Sequence, residues 1–197
     1  MKYFTKGMLI SLSTALVLGL TGCSSKDTKL AEEEADFRCR IDNALAPEWA
    51  CGNAMTEGAI TAVGSAPLSK AGQGFSRREA LANGRSNLAQ QIETLVKDKV
   101  ETFARSTGVS ADEVVDKVST QVSKQVAKVT LKGSKQIKFW QQPTTKELYV
   151  LVGVPEGSVN EAAKESVKSS FKNDNALWQQ FQSKQALESL EKEFPTD

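Results

Sequence analysis

The chain has 197 residues, with 25 Lys and Arg against 24 Asp and Glu, three cysteines and no histidine. Without histidine, the Ser-His-Asp and Cys-His forms of nucleophilic catalysis and the commonest metal ligand are excluded. The near-neutral charge makes no demand for nucleic acid, and the length suits one domain of ordinary size with an added helical segment.

Lys2 and Lys6 give a basic start, Met8 to Leu20 are mostly apolar, and small residues follow up to Cys23. This is the layout of a secretory signal peptide over residues 1–22, and its apolar stretch is too short to cross a bilayer comfortably. Leu20-Thr21-Gly22-Cys23 resembles the lipobox of bacterial lipoproteins. The resemblance implies that the Cys23 sulfur receives a diacylglyceryl group, that the chain is cut before it, and that the new N-terminus is acylated. Ordinary signal cleavage beside a chance cysteine is the rival reading. Two or more acyl chains hold a protein stably to a membrane, where one holds it only marginally. Ser24 in place of Asp implies, by the same resemblance, the outer membrane of a Gram-negative bacterium and a periplasm-facing domain. No cofactor is expected beyond the diacylglycerol and N-acyl lipid. Cleavage leaves 175 residues and takes the net charge from +1 to −1, since Lys2 and Lys6 depart.

Residues 23–38 read as a flexible tether: polar from Ser24 to Lys29, then acidic at Glu32, Glu33, Glu34 and Asp36. Such composition buries too little apolar surface to fold alone, and the acids read as solvated. With Cys23 lipidated, Cys39 and Cys51 form an even pair in an oxidising compartment and predict a disulfide. A zinc site has too few ligands in view.

The domain proper is predicted over 39–157, with a helical extension over 158–197. Glu57 to Leu68 read as a strand whose two glycines imply a bulge or a close backbone approach. Ser76-Arg77-Arg78-Glu79 reads as a capping box opening a helix that runs to about Ser106, with Leu81, Leu88, Ile92, Val96, Val100 and Phe103 on one stripe and Gly108 beyond its end. Ser110-Ala111-Asp112-Glu113 reads as a second box, followed by a stripe at Val114, Val118, Val122 and Val126. Near Lys128 the period changes to two. Val129, Leu131, Ile137 and Phe139 are predicted on the core face of a strand, with Thr130, Lys132, Gln136 and Lys138 on its wet face. Gln141 to Lys146 reads as a turn, and Leu148 to Val154 as the antiparallel return strand. Helices near Val159–Phe171 and Ala176–Glu193 complete the chain, separated by Asn173-Asp174-Asn175.

The order predicts an α+β fold: a small antiparallel sheet of about three strands packed by long helices, with a C-terminal helical extension. The first strand must pair with the hairpin across the helices. Exposed sheet edges and one half-covered face invite self-association.

Five pieces together resemble the Lpp-twenty family of bacterial lipoproteins. They are the lipobox at Cys23, Pro47-Glu48-Trp49, Ala62-Val63-Gly64-Ser65-Ala66, a helix carrying Ala80, Arg85, Leu88, Ala89 and Ile92, and Leu148-Tyr149-Val150-Leu151-Val152. The resemblance covers roughly Pro47 to Gly157. It implies a dodecin/SHS2-like domain and a non-enzymatic envelope role. Some relatives are flagellar outer-membrane lipoproteins that assemble into rings or disks, and others are envelope lipoproteins without assigned chemistry. The Cys39/Cys51 pair and the helical tail fall outside the usual core.

From Lys117 to Lys146 there are seven lysines and no acid. Lys128, Lys132 and Lys138 are the candidates for contact with an anionic surface. The competing reading is a solvated lysine face that protects a sheet edge. Gly72-Gln73-Gly74 could present amides to a phosphate, but it has two of the three fingerprint glycines and reads rather as a flexible turn. Trp49, Trp140 and Trp178 could line an apolar groove, or serve as core and interface anchors, with Trp49 pinning the tether to the domain and Trp178 on an amphipathic helix. No carboxylate pair stands out for acid–base work. The expectation is a non-enzymatic, outer-membrane-anchored structural or assembly component, with self-association or envelope proteins as partners. A lipid- or small-ligand-binding module is the alternative.

Overall fold

The computed structural model describes residues 36–52, 56–108, 112–173, 178–179 and 181–196. The signal peptide, Cys23, most of the tether, Ser110, Ala111, Asp174 and Asn175 lie outside the described residues. The described elements are β1 (Arg40–Ile41), β2 (Ala44–Leu45), β3 (Ala59–Ala66), α1 (Gln73–Ser106), α2 (Asp112–Thr130), β4 (Lys135–Gln141), β5 (Leu148–Pro155), α3 (Glu156–Lys172) and α4 (Lys184–Glu193). Phe37–Asp197 form one compact unit. The fold is α+β. Its main sheet is antiparallel, in the order β3-β5-β4, and a two-residue hairpin β1–β2 is an addition that periodicity did not announce.

β3 does pair with the hairpin across the intervening helices, Ala66 opposite Leu148 and Ala59 opposite Pro155. Its alternation sets Ala62, Gly64 and Ala66 toward α1, and Thr61, Val63 and Ser65 away from it. The inward residues are small because α1 lies directly on them, through Ala80, Gly84 and Leu88. A Cβ on Gly64 would stand 2.2 Å from the Ala80 carbonyl oxygen and 2.2 Å from the Gly84 nitrogen. Of the two sequence readings for these glycines, a close backbone approach is the one found at Gly64.

The second half of α1 presents Val96, Val100 and Phe103 to α2, α3 and the C-terminal segment. Phe103, Phe171 and Phe181 form a triangle with ring centroids 5.5 to 6.1 Å apart, and Trp178 stacks on Phe181 at 5.4 Å. Trp178 thus finds its partner within its own domain. α4 and the residues after it close on α3. Asn160 Nδ2 donates to the Pro195 carbonyl at 2.9 Å, and Lys164, nearly buried, donates to both Glu191 carboxylate oxygens at 2.6 Å and to Thr196 Oγ1 at 2.9 Å. These bonds hold the Glu191 carboxyl below its usual range, the Lys164 hydrogen bond being the largest cause.

Several local expectations are corrected. α1 begins at Gln73, capped by Gly72, so Ser76 lies inside the helix; it is fully buried and accepts from the Ser69 amide at 2.7 Å instead of capping. The buried stripe of α2 is Val115, Ser119, Val122 and Val126, with Val114 and Val118 only flanking it. Val129 and Leu131 are not in a strand: α2 continues through Thr130, whose hydroxyl donates to the Val126 carbonyl, and Leu131–Gly133 add a 3-10 turn. Helical hydrogen bonding outlasted the change of hydrophobic period. The helix expected over Ala176–Glu193 is interrupted at Gln182–Ser183, where the Ser183 hydroxyl accepts from the Ala186 amide and starts α4 afresh.

The second face of the sheet is not bare. Cys39 and Cys51 are disulfide-bonded, with Cα atoms 6.1 Å apart. The lobe they close carries β1, β2 and the 3-10 turn Glu48–Cys51. It lays Trp49 and Ala50 on Leu151 of the central strand, with Val63, Trp140 and Tyr149 packed around. Gln142, fully buried in the β4–β5 turn, donates to the Ile41 carbonyl and accepts from the Thr144 and Thr145 amides, which ties that turn to the lobe. Burial under this lobe, with Glu147 adding to it, pushes the Tyr149 phenol up to about 12.

Four outcomes follow from this packing. Gly64→Ala is expected to cost about 3 kcal/mol or more in urea unfolding, because the clash is with backbone. Gly74→Ala, with nothing within 4 Å of the added methyl, should gain about 0.5–1 kcal/mol. Replacing Cys39 and Cys51 by Ser should cost about 2–3 kcal/mol and shift Trp fluorescence to the red as Trp49 is released. A carboxyl with a depressed folded pKa contributes stability above its free value of about 4.3, and that stability is lost as pH falls through the lower folded value. Glu191→Gln should therefore be less stable than wild type at pH 7 and show a flatter loss on acidification, both measured by thermal melts across pH.

Candidate interaction surface

The charges of the folded domain are segregated. At one end of the α1–α2 pair they are matched: Lys97 donates to Asp116 at 2.8 Å and sits 3.9 Å from Glu101, and Arg105 lies 3.3 Å from Glu101. The bond to Asp116 is the largest cause holding the Lys97 ammonium above its usual value. Beyond Asp116, matching stops. Lys117, Lys124, Lys128, Lys132, Lys135 and Lys138 are all exposed, and among the described residues none forms an ion pair. Lys117, Lys124 and Lys128 fall on the α2 face opposite Val115, Val122 and Val126, as a 3.6-residue period requires. Lys146 is bound locally, to the Pro143 carbonyl at 2.6 Å.

The field is densest where α2 hands over to β4. β4 is an edge strand, and its register slips between Gln136 and Lys138. Gln136 opposes Val152 and Phe139 opposes Val150 on the helix side, while Lys138 opposes Leu151 on the lobe side. The extra residue at the slip is Ile137, whose Cδ1 atom would lie 2.6 Å from a Cβ on Gly153, so it shares the lobe side with Lys138. The expected alternation, with Ile137 and Phe139 together on the core face, is thus broken by one bulge residue, and both are 41% exposed. The helix side of this edge is finished by α1: Arg77 donates to Gln136 Oε1 at 3.0 and 3.1 Å and stands over the Phe139 ring at 5.5 Å, and Arg85 donates to Ser134 Oγ at 3.0 Å. Lys132 and Lys138, expected from sequence, thus border this edge from the turn before it and from its lobe side, Arg77, Arg85 and Phe139 from its helix side, while Lys128 stands on the outer face at the end of α2. Sequence reasoning missed the arginines because Arg77 meets Gln136 across 59 residues, with no local pattern to announce it.

The opposite edge is built differently. The Val63 and Ser65 carbonyls of β3 accept from Asn87 and Asn83 of α1, each at 2.8 Å. Beside them lies a cleft of about 690 Å³ whose lining includes Thr61, Val63, Asn87, Gln90, Gln91 and Thr94. Trp49 and Trp140 meet under the disulfide lobe, whereas Trp178 belongs to the other core cluster, so the three tryptophans do not share a groove. Gly72-Gln73-Gly74 forms the start of α1. Among the described residues no three Cys, Asp or Glu side chains are grouped to hold a metal ion, and no helix is long and apolar enough to cross a membrane.

No curated protein matches the chain. A family model for the LPP20 lipoprotein matches residues 47–155, which take in Trp49, β3, α1, α2 and the β4–β5 hairpin, and leave out the tether, Cys39 and everything from α3 onward. That span is more than half of the chain and carries the whole three-stranded sheet with the two helices that precede its hairpin: the chain belongs to the LPP20 lipoprotein family, and so among membrane-anchored proteins of the bacterial envelope.

Proposed function

We propose that this lipoprotein is a non-catalytic structural or adaptor component of the envelope, held by lipid on Cys23 at the periplasmic face of the outer membrane. The observation that carries the reading is the clamped start of the domain. Cys39, the first cysteine after the tether, is bonded to Cys51, and the lobe between them is packed by Trp49 onto Leu151 of the central strand. A load on the tether would pass through the Cys39–Cys51 bond across the lobe, and from there through the packing of Trp49 on Leu151 to the middle of the sheet, and not into a frayed terminus. That is useful to a part that holds something in place. Self-association, including the rings or disks of flagellar relatives, is the form such a role would take if the partner is a second copy.

A second reading, a small-ligand module, is favoured by the cleft at the β3 edge. Its side-chain amides suit a polar ligand better than a fatty one. Native mass spectrometry separates the two: a defined oligomer or a captured envelope protein supports the first, a monomer with a co-purified small molecule the second. The anchoring is tested in cells. Metabolic palmitate labelling should mark the wild-type chain and leave Cys23→Ser unlabelled, and the variant should leave the outer-membrane fraction. A blank wild type, or a variant that still fractionates with the outer membrane, overturns the reading.

A further inference from the structure

We propose that the corner formed by the end of α2 and the edge of β4 seats the domain on an anionic lipid surface. In this contact Lys128, Lys132, Lys135 and Lys138 face phosphate headgroups, and Ile137 and Phe139 enter the interfacial layer. The contact deepens the envelope placement above and rests on it only for which membrane is met.

Charge complementarity is the first argument. These lysines have no carboxylate to neutralise them within the described domain, although the chain as a whole is nearly neutral. The second argument is the apolar content. Ile137 and Phe139 are both 41% exposed and flank the edge strand from its two faces, interleaved along it with Lys135 and Lys138. Long basic side chains with apolar neighbours suit the boundary between water and acyl chains, where stems and rings are buried and charged heads remain among the headgroups. Arg77 stacked on Phe139 is such a pair already assembled.

Shape decides between a lipid layer and an acidic polypeptide. An extended peptide would bind an edge strand by continuing its hydrogen-bond ladder. β4 is bulged at Ile137 and carries Lys135 and Lys138, two devices that oppose strand addition. The clefts of about 690 and 700 Å³ lie elsewhere, against β3 and against α3. What remains is a blunt cationic corner studded with apolar side chains. That shape fits a laminar surface of negative charge.

The test is vesicle flotation of the processed chain carrying Cys23→Ser. No acyl anchor then contributes, and a failure here leaves the anchoring result standing. Near-UV circular dichroism confirms that each protein is folded. Vesicles containing phosphatidylglycerol should bind the chain and pure phosphatidylcholine vesicles should not, with binding falling as salt is raised. Each cation near an anionic surface is worth about fivefold in partition, so Lys132→Glu with Lys138→Glu should weaken binding by about a hundredfold or more. Lys132→Gln with Lys138→Gln should give a smaller loss, and inorganic phosphate should displace the chain no more than sodium chloride of the same ionic strength. Equal binding to both vesicle types, undiminished binding by the double reversal, or displacement by inorganic phosphate beyond that of sodium chloride at matched ionic strength overturns the proposal. Capture of polyglutamate without capture of anionic vesicles overturns it in favour of an acidic polypeptide partner.

Discussion

Backbone meets backbone where Gly64 of β3 lies under Ala80 and Gly84 of α1, and the rest of the domain is arranged around that contact. A glycine inside a helix costs about 0.5–1 kcal/mol relative to alanine. At Gly64 any side chain larger than hydrogen would drive the helix backbone off the sheet, and at Gly84 a Cβ would press on Val152 at 3.1 Å and on the Gly64 backbone at 3.3 Å. With α1 seated this closely, Ala62 and Ala66 are large enough to fill the remaining space on β3, and Val150 and Val152 of β5 are buried beside them. The 34-residue length of α1 follows a second demand. Its first half covers the sheet. Its second half runs on to provide the floor on which α2, α3 and the C-terminal phenylalanines pack.

A three-stranded sheet covered on one face by a helix would leave its other face wet. Here that face is covered by a short disulfide-closed lobe, too small to hold a core of its own and therefore dependent on the covalent link for its position. Trp49 supplies most of its apolar area and Leu151 receives it. The two sheet edges are handled in opposite ways. On β3, asparagines spaced four apart on α1 bind carbonyls that another strand would need. On β4, a bulge and two lysines disrupt the template. Strand addition is thus opposed at both edges, which leaves side-chain surfaces as the parts of the sheet layer open to contact.

Charge follows the same division. Acids and bases neutralise one another where α1 and α2 meet near Lys97, Glu101 and Asp116, whereas the lysines from Lys117 to Lys138 form no ion pair among the described residues. For a membrane-anchored lipoprotein, an uncompensated cationic surface is the feature with the clearest chemical consequence. Membership in the LPP20 family covers the sheet and the helices around it. Cys39 and the C-terminal helices that complete the core lie outside the matched residues 47–155.

Composition and short-range pattern were enough for the fold class, the pairing of the first strand with the hairpin, the long helix to Ser106, the Cys39–Cys51 bond and the lysine field. Each depends on residue type and on periodicity along one element, or, for the cysteines, on parity and compartment. The register slip at Ile137 was not legible, because one inserted residue changes which face every neighbour takes without changing composition. Nor were the removal of Ser76 from its cap, the continuation of α2 past Lys128, or the arrival of Arg77 and Arg85 at the β4 edge. The arrival of the arginines was decided by the tight seating of α1 on β3. That contact fixes where the first turn of α1 lies relative to a strand some sixty residues later, and distances between elements so far apart in sequence exist only once the chain has folded.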